Sequence, residues 1–181
     1  NNHIIRRIEQ EGGDVITSGL MDFFLYCSMD APYRTKYLAG SWLSGFLGNV
    51  GRHVLDFYRH PYVKAMKKSK RFDTPESIKD VAKRAAAFIN LGNQSGEGWF
   101  LTGDMLDLIH KGARHVVCLQ PFGCLPNHVT GKGMIRPLSE AYPDVRIAAI
   151  DYDPGASEVN QTNRLKLLLG TLFEGNNAAN A

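Results

Sequence analysis

Two apolar stretches near the carboxyl-terminal end decide the fold: His115-Val-Val-Cys-Leu-Gln120 and Arg146-Ile-Ala-Ala-Ile-Asp151. Short and almost continuous apolar runs are typical of strands that are buried on both faces of a parallel sheet. A helical pattern around residues 134–142 separates them, and a further helix is predicted from about Ser157. Because a strand–helix–strand unit makes a parallel pair with a right-handed crossover, we predict an α/β fold with a small parallel sheet flanked by helices.

The amino-terminal part of the chain predicts another strand and a large helical insertion. The isoleucines of Ile4–Ile8 follow helical spacing, and Gly12-Gly13 marks the end of that helix. Asp14–Thr17 then has the composition of a short strand, which brings the predicted sheet to at least three strands. From Leu20 to His60 the sequence is aromatic and helical in period. We therefore expect a large helical insertion after the first strand.

The insertion contains an apolar helix side that is interrupted by glycines. The apolar side comprises Leu38, Trp42, Phe46, Leu47, Val50, Val54, Leu55 and Tyr58. Glycine weakens a helix by about 1 kcal/mol relative to alanine, but it lets two backbones approach closely. Gly40, Gly45, Gly48 and Gly51 therefore indicate either packing inside this chain or a surface for a partner domain.

Two further helices are predicted before the first carboxyl-terminal strand. Thr74-Pro75-Glu76 has the sequence of a helix start, with Thr74 as the N-cap. A strict apolar stripe follows over residues 78–89. The second helix is predicted from about Gly98 to Lys111, with Gly112 as its stop. The last helix of the chain is predicted to bury Leu165, Leu168, Leu169 and Leu172.

The bulk composition is that of an ordinary globular protein. The 181 residues are 44% apolar and 22% charged, with a formal net charge of +3. This charge is small and no basic stripe is interleaved with aromatics, so nucleic-acid binding is not predicted. The longest uncharged stretch, residues 37–51, is shorter than the roughly twenty apolar residues of a membrane span, and no membrane segment is predicted. We expect one α/β domain over residues 1–174, cut from a longer protein, and a flexible tail over residues 175–181.

The three cysteines include no CxxC motif, and their odd number does not suit a set of disulfides. Both features are typical of a protein in a reducing cytoplasm. Cys118 lies within a strand and is expected in the core. Cys124 follows the strand end, where a thiolate could ligate iron because cysteine is the usual ligand of iron–sulfur clusters. The alternative is an ordinary buried thiol.

His128 stands four residues after Cys124 without a second Cys/His pair, so zinc is not predicted. As a catalytic candidate it could act as a general acid, orient an acyl group or donate to a cluster sulfur. The alternative is a loop cap that bonds backbone. No nucleophile–base pair and no G-x-S-x-G elbow accompany it, which disfavours a hydrolase or transferase.

Gly131-Lys132-Gly133 is predicted to open a helix. It is neither a Walker A loop nor a Rossmann fingerprint, because the spacing differs and Met134 replaces Ser/Thr. Backbone N–H groups at a helix start favour an anion, and Lys132 adds charge. A coenzyme A phosphate or a carboxylate is the candidate ligand; a tight turn that needs glycine is the alternative.

The loop after the second strand adds a further group of polar residues. Asp153-Pro154-Gly155 has the composition of a turn, and Ser157 can act as the N-cap of the last helix. Neither role accounts for Asp151 or for the shared helix face of Asn160, Asn163 and Arg164. That face either binds a polar ligand or holds the loop around Cys124. Because the carboxyl ends of parallel strands lie together, we expect the loops after Gln120 and Asp151 to lie side by side.

Four runs in this region resemble one protein family. They are Gly96-Glu-Gly-Trp-Phe-Leu-Thr-Gly103, Gln120-Pro-Phe-Gly-Cys-Leu-Pro-Asn-His128, Gly131-Lys-Gly133 and Asp151-Tyr-Asp-Pro-Gly-Ala-Ser-Glu-Val-Asn-Gln-Thr-Asn-Arg164. Their order is similar to that in the carboxyl-terminal region of large proteins related to 2-hydroxyacyl-CoA dehydratases and their activators. The resemblance covers roughly residues 90–170 and, more loosely, residues 1–90.

The resemblance implies anaerobic, iron–sulfur-based, ATP-driven transfer of low-potential electrons in the full-length protein. It implies a 4Fe–4S cluster to which Cys124 gives one ligand and other parts of the parent give the rest, so that this piece alone holds no cluster and is inactive. ATP would be handled by another domain, since no nucleotide loop is found here. The expected partners are other domains of the parent chain and an acyl-CoA. The alternative is a docking domain of the same protein without a cofactor of its own.

Overall fold

Seven α-helices and two β-strands form within residues 3–69, 73–153, 155 and 157–179, which are the residues that the computed structural model describes. Their contacts divide the chain into two compact units. The first, here called the sheet unit, comprises the residues up to Thr17 and those from Leu108 onward. The second, the helical unit, comprises Ser18–Asp107 and corresponds to the helical insertion that the sequence predicts.

The sheet unit consists of a parallel strand pair and its helices. Its elements are α1 (Ile4–Gln10), β1 (His115–Pro121), a π-helical turn (Asn127–Gly131), a 3-10 turn (Lys132–Met134), α6 (Ile135–Ala141), β2 (Arg146–Tyr152) and α7 (Glu158–Ala179). The strands β1 and β2 pair in parallel, with Cys118 opposite Ala149 and Gln120 opposite Asp151. The α/β class and the helix between the two strands are confirmed.

Both faces of the strand pair are covered by helices. Ile150 and the partly buried Val117 pack with Leu165 and Leu169 of α7 on one side. Cys118 and Gln120 point to the other side, where both lie against Gly131. The pattern along β1 alternates between fully and partly buried residues. This alternation follows from the two-residue period of a strand whose two faces are covered unequally.

The prediction of a third strand is wrong for the described residues. The sheet contains β1 and β2, and Asp14–Thr17 has no strand assignment. Ile16 is exposed, although its neighbourhood has the β-branched composition of a strand. Strand propensity depends on a paired neighbour and on packing against a face, and this segment has neither in the described structure.

The ends of the predicted helices are partly corrected. Helix α7 begins after Ser157, whose Oγ accepts a hydrogen bond from the Val159 N–H at 3.3 Å, as expected. It continues to Ala179, into residues that the sequence assigns to a tail. Leu165, Leu168 and Leu169 are buried as predicted, while the side chain of Leu172 lies outside the described ones.

The helical unit contains α2 (Leu20–Tyr37), α3 (Trp42–Ser69), α4 (Ile78–Ala85) and most of α5 (Trp99–His110). Its core is aromatic: Trp99 is fully buried and meets Tyr26 edge-on at 5.3 Å between ring centroids, while Phe100 stacks on Tyr26 at 5.2 Å. The Tyr26 hydroxyl donates to the Gly96 carbonyl at 2.7 Å, so that the polar end of this buried ring is satisfied.

Helix α4 begins three residues later than Thr74 suggests. Ser77 is the N-cap, because its Oγ accepts the Asp80 N–H at 3.3 Å. Of the predicted stripe over residues 78–89, Ile78, Val81, Ala82 and Ala85 are buried in the core. Helix α4 ends at Ala85, so that Phe88 and Ile89 lie beyond it and are half-buried. Helix α5 ends as predicted before Gly112, whose φ of 95° only glycine adopts readily.

Helices α2 and α3 lie against one another through glycines. A Cβ at Gly48 would come within 2.7 Å of Pro32 Cδ, and one at Gly45 within 2.7 Å of Thr35 Oγ1. A Cβ at Gly51 would meet nothing within 4 Å. The first two glycines therefore serve packing within the unit, whereas Gly51 has no such role there. Among the described helices, none has the length and apolar content needed to cross a membrane.

Candidate functional site

A cleft of about 530 Å³ opens at the carboxyl ends of β1 and β2. Because Gln120 and Asp151 are register partners, the loops that follow them lie side by side, as the parallel pairing predicts. The described lining residues come from both loops and from the helical turn behind them: Gln120, Pro121, Phe122, Gly123, Leu125, His128, Asp151 and Asp153.

Gln120 contributes a buried polar group to this cleft that sequence reasoning did not single out. Its side chain is 1% exposed, and its Nε2 donates to Cys118 Sγ at 3.0 Å. Its Oε1 has no hydrogen-bond partner among the described residues. A buried acceptor left unsatisfied costs roughly 1–3 kcal/mol, which a ligand N–H or O–H in the cleft would recover. The signal in the sequence is an amide that ends an otherwise apolar strand.

Cys124 lies at the start of the helical segment behind the cleft. Its carbonyl oxygen accepts the His128 N–H at 3.2 Å, which makes it the first acceptor of the segment. Its thiol is partly buried, and Sγ accepts a hydrogen bond from Asn127 Nδ2 at 3.1 Å. Its neighbours Gly123 and Leu125 line the cleft, although Cys124 itself is not among the lining residues. The thiol is thus fixed beside the cleft by an amide donor.

His128 combines the two roles that the sequence leaves open. Its Nδ1 hydrogen-bonds the Cys124 carbonyl oxygen at 2.8 Å, which is the predicted loop cap. The same ring is exposed and lines the cleft. Because Nδ1 is engaged with the carbonyl, it carries the proton in the neutral ring, and Nε2 is then the nitrogen able to accept one.

The prediction that Gly131-Lys132-Gly133 opens a helix is wrong. The helical backbone already begins at Leu125, passes through the π-helical and 3-10 turns and continues into α6. Gly131 and Gly133 therefore lie inside a continuous helical segment and do not present a helix N-terminus to an anion. Gly131 serves packing instead, since a Cβ there would come within 3.1 Å of Cys118 Sγ.

Asp151 forms an ionic group with two basic side chains. Lys132 Nζ lies 3.4 Å from Asp151 Oδ1, and Arg164 Nη1 lies 3.6 Å from Asp151 Oδ2. Arg164 also donates to the Ala149 carbonyl at 2.9 Å, and the buried Gln161 donates to the Asp151 carbonyl at 3.1 Å. All three charged side chains are partly exposed, so each ion pair contributes less than about 1 kcal/mol. Lys132 and Arg164 thus hold the β2 loop through the single Asp151 carboxylate, which leaves this ionic group with one net positive charge.

The remaining predicted residues have less direct positions. Asn160 and Asn163 are exposed on α7 and are not among the described residues that line the cleft. Asp153 forms the predicted turn, with Oδ1 accepting the Gly155 N–H at 2.9 Å, while Pro154 lies outside the described residues. Burial raises the pKa of Tyr152, with a smaller opposing effect from Arg7, so this phenol stays protonated at neutral pH.

The described residues do not form a complete iron–sulfur site. No group of three or more His, Cys, Asp or Glu side chains that could hold a metal is found among them. Cys118 is buried and Cys27 belongs to helix α2 of the helical unit. A 4Fe–4S cluster has four thiolate ligands in the usual case, and the described residues do not provide such a set.

The chain matches no protein-family model, and comparison with curated proteins and with solved structures gives no significant match.

Proposed function

We propose that this chain is an iron–sulfur, CoA-linked redox module of a protein related to the 2-hydroxyacyl-CoA dehydratases and their activators. In this proposal it takes part in ATP-driven transfer of low-potential electrons in anaerobic metabolism. The observation that carries the proposal is that His128 and Asp151, which belong to two separate family-like runs, line one cleft, with Cys124 directly beside it. The cleft provides a site for the acyl end of an acyl-CoA.

Each side chain around the cleft has a role in this proposal. Cys124 gives one thiolate to a cluster whose other ligands come from the rest of the protein, and the Asn127 amide orients that sulfur. The Gln120 Oε1 accepts a hydrogen bond from the substrate, since it has no partner among the described residues. His128 Nε2 exchanges a proton with the bound acyl group. The cluster, when bound, supplies one-electron transfer; ATP is handled by another domain.

The test compares two cysteine variants of the anaerobically purified full-length protein. Cys124→Ala removes the proposed ligand, and alanine cannot replace a thiolate. We expect loss of the broad iron–sulfur absorption with little change in melting temperature. Cys27→Ala is the matched control, because Cys27 is exposed in α2, and it should keep the absorption. The 181-residue chain by itself should contain neither iron nor zinc in stoichiometric amounts.

Two results would contradict the proposal. Cys124→Ala could keep the absorption and lower stability, which would assign the thiol to packing. Stoichiometric metal in the isolated chain would mean that its own cysteines hold a metal, without ligands from the rest of the protein.

A second candidate is a binding or docking domain without a cofactor, presenting its loops to another domain of the same protein. The observation that favours it is that the segment after β1 exposes the large apolar side chains of Phe122, Leu125 and Val129. In that case Cys124→Ala leaves the absorption unchanged, so the same experiment separates the two candidates.

A further inference from the structure

Helix α3 turns its polar side inward and its apolar side outward. The residues that it buries are Gly45, Arg52 and Arg59. The opposite side, here called the outer face of α3, consists of Trp42, Leu43, Phe46, Leu47, Val50, Val54, Phe57, Tyr58 and Tyr62, all of them exposed. A helix that faces water on one side has the reverse arrangement, so this outer face is expected to be covered in solution.

The inner side of α3 has its charges neutralised within the helical unit. Arg52 pairs with Asp56 at 2.7 Å, and Arg59 pairs with Asp22 of α2 at 2.8 Å. Arg59 also donates to the Glu76 carbonyl at 3.2 Å. These arginines are therefore not available to anionic headgroups, whereas helices that lie on membranes present cations on their polar side. On the buried side of α3 the charge is thus used within the helical unit, while Lys64, Lys67 and Lys68 near the end of the helix are exposed.

The outer face is large enough for a stable dimer. Trp42 is 75% exposed, and Phe57, Tyr58 and Tyr62 are each exposed to about the same extent. Since a fully buried aromatic side chain contributes about 150–250 Å², the aromatic residues of the face alone leave roughly 700 Å² exposed. The largest apolar patch of a typical monomer is about 300–600 Å², and a standard interface buries about 800 Å² per partner.

The order of residues on the outer face is nearly symmetrical about Arg52. Val50 and Val54 are equally far from it, as are Leu47 and Phe57, and Phe46 and Tyr58. In two antiparallel helices related by a two-fold axis at this point, the members of each pair come from different copies and lie at the same level. The centre then holds the valines and the ends hold rings, so that each ring faces an apolar side chain of the other copy, which suits the self-complementary surface of a two-fold interface.

We propose that the outer face of α3 is a homodimer interface, in which two copies of this chain pair their α3 helices in antiparallel orientation about Arg52. Val50 of one copy lies opposite Val54 of the other, twice in each dimer. This arrangement is independent of the cleft in the sheet unit and of any cofactor.

The test uses charge at the two central positions, measured by sedimentation equilibrium of the chain. Val50→Glu and Val54→Lys each place a charge without a partner in the interface, and each should weaken self-association by more than about 100-fold. An equimolar mixture of the two variants should dimerise again, because antiparallel pairing brings the introduced carboxylate of one variant opposite the introduced ammonium group of the other. Val50 and Val54 are both exposed in the single chain, so neither substitution should change folding, which is followed by circular dichroism.

Leu167→Glu is the control, since Leu167 is an exposed leucine on α7, and it should dimerise like the unmodified chain. The proposal is overturned if the unmodified chain stays monomeric at tens of micromolar. It is also overturned if the mixture remains monomeric, which would exclude antiparallel pairing. The proposal is likewise overturned if the chain does not self-associate but sediments with phosphatidylglycerol vesicles, because the outer face of α3 would then bind a lipid surface.

Discussion

Gln120 of β1 and Asp151 of β2 are register partners at the carboxyl edge of the parallel pair. The strands thus end side by side, and one cleft receives both a buried amide and a carboxylate. Gln120 is held from behind by Cys118, and Asp151 is held by Lys132 and Arg164. The cleft is therefore built from fixed side chains, with one buried acceptor that the described residues leave unsatisfied.

Gln120→Leu should separate ligand binding from stability. Leucine fills a similar volume and removes a buried oxygen that has no partner among the described residues, so the free energy of unfolding should stay within about 1 kcal/mol or rise. Binding of a 2-hydroxyacyl-CoA such as lactoyl-CoA, whose hydroxyl group can donate to Oε1, should weaken at least about tenfold when measured by isothermal titration calorimetry. Gln94→Leu is the control, because Gln94 is also buried with an unpartnered Oε1 but belongs to the helical unit. Equal binding by all three proteins would remove Gln120 from the site.

Gly48→Ala and Gly51→Ala should have opposite effects on stability. The new Cβ at Gly48 would press on Pro32 and on the Ser28 carbonyl, and overpacking of this kind costs about 1–3 kcal/mol. At Gly51 the space is open, and alanine should add up to about 1 kcal/mol through helix propensity. Both glycine variants are compared by urea unfolding in chains that also carry Val50→Glu, so that dimerisation does not contribute to the measured free energy of unfolding. Similar values for both variants would contradict the close approach of α2 and α3.

Ser77→Ala should destabilise α4, whereas Thr74→Ala should not. The Ser77 hydroxyl accepts the Asp80 N–H and also donates to Asp80 Oδ2 at 2.7 Å, and loss of such a cap costs about 1 kcal/mol. Thr74 lies before the helix, and its substitution should change the free energy of unfolding by less than about 0.5 kcal/mol. Thermal unfolding of both variants measures the difference. A larger loss for Thr74→Ala would restore the helix start that the sequence pattern indicates.

His115 should make the protein less stable in mild acid. Burial, reinforced by the positive charge of Arg146, lowers the pKa of His115 below its usual value of 6.5. Above that value the imidazole is neutral in both the folded and the unfolded chain. As the pH falls below 6.5, the unfolded chain takes up the proton first, so stability falls until the folded imidazole is protonated too.

The measurement is the melting temperature at pH 7.5 and at pH 5.5. His115→Gln should show a smaller drop between the two than the unmodified protein, because its side chain does not titrate. His60→Gln, which changes an exposed histidine of α3, should keep the full drop. An unchanged drop in His115→Gln would show that other groups cause the acid sensitivity.

Spacing along the chain is enough to predict the strand–helix–strand unit, most helix positions and the place of the cleft. Continuous apolar runs at residues 115–120 and 146–151 suffice to predict two buried strands, and parallel pairing then requires their ends to meet. The α4 stripe and the stop at Gly112 are equally local. Each of these features depends on the spacing of residues within one segment, and that spacing can be read directly from the sequence.

Which segments pair, and which face of a helix is covered, became known only from the folded chain. Asp14–Thr17 has the composition of a strand but lacks a neighbour in the described structure, and the apolar side of α3 faces outward because Gly45, Gly48 and two ion-paired arginines face inward. Gly131 lies within a helical segment and packs closely against Cys118, a contact that the sequence does not indicate. Burial and pairing are properties of two surfaces in contact, and the sequence of one segment does not specify its partner.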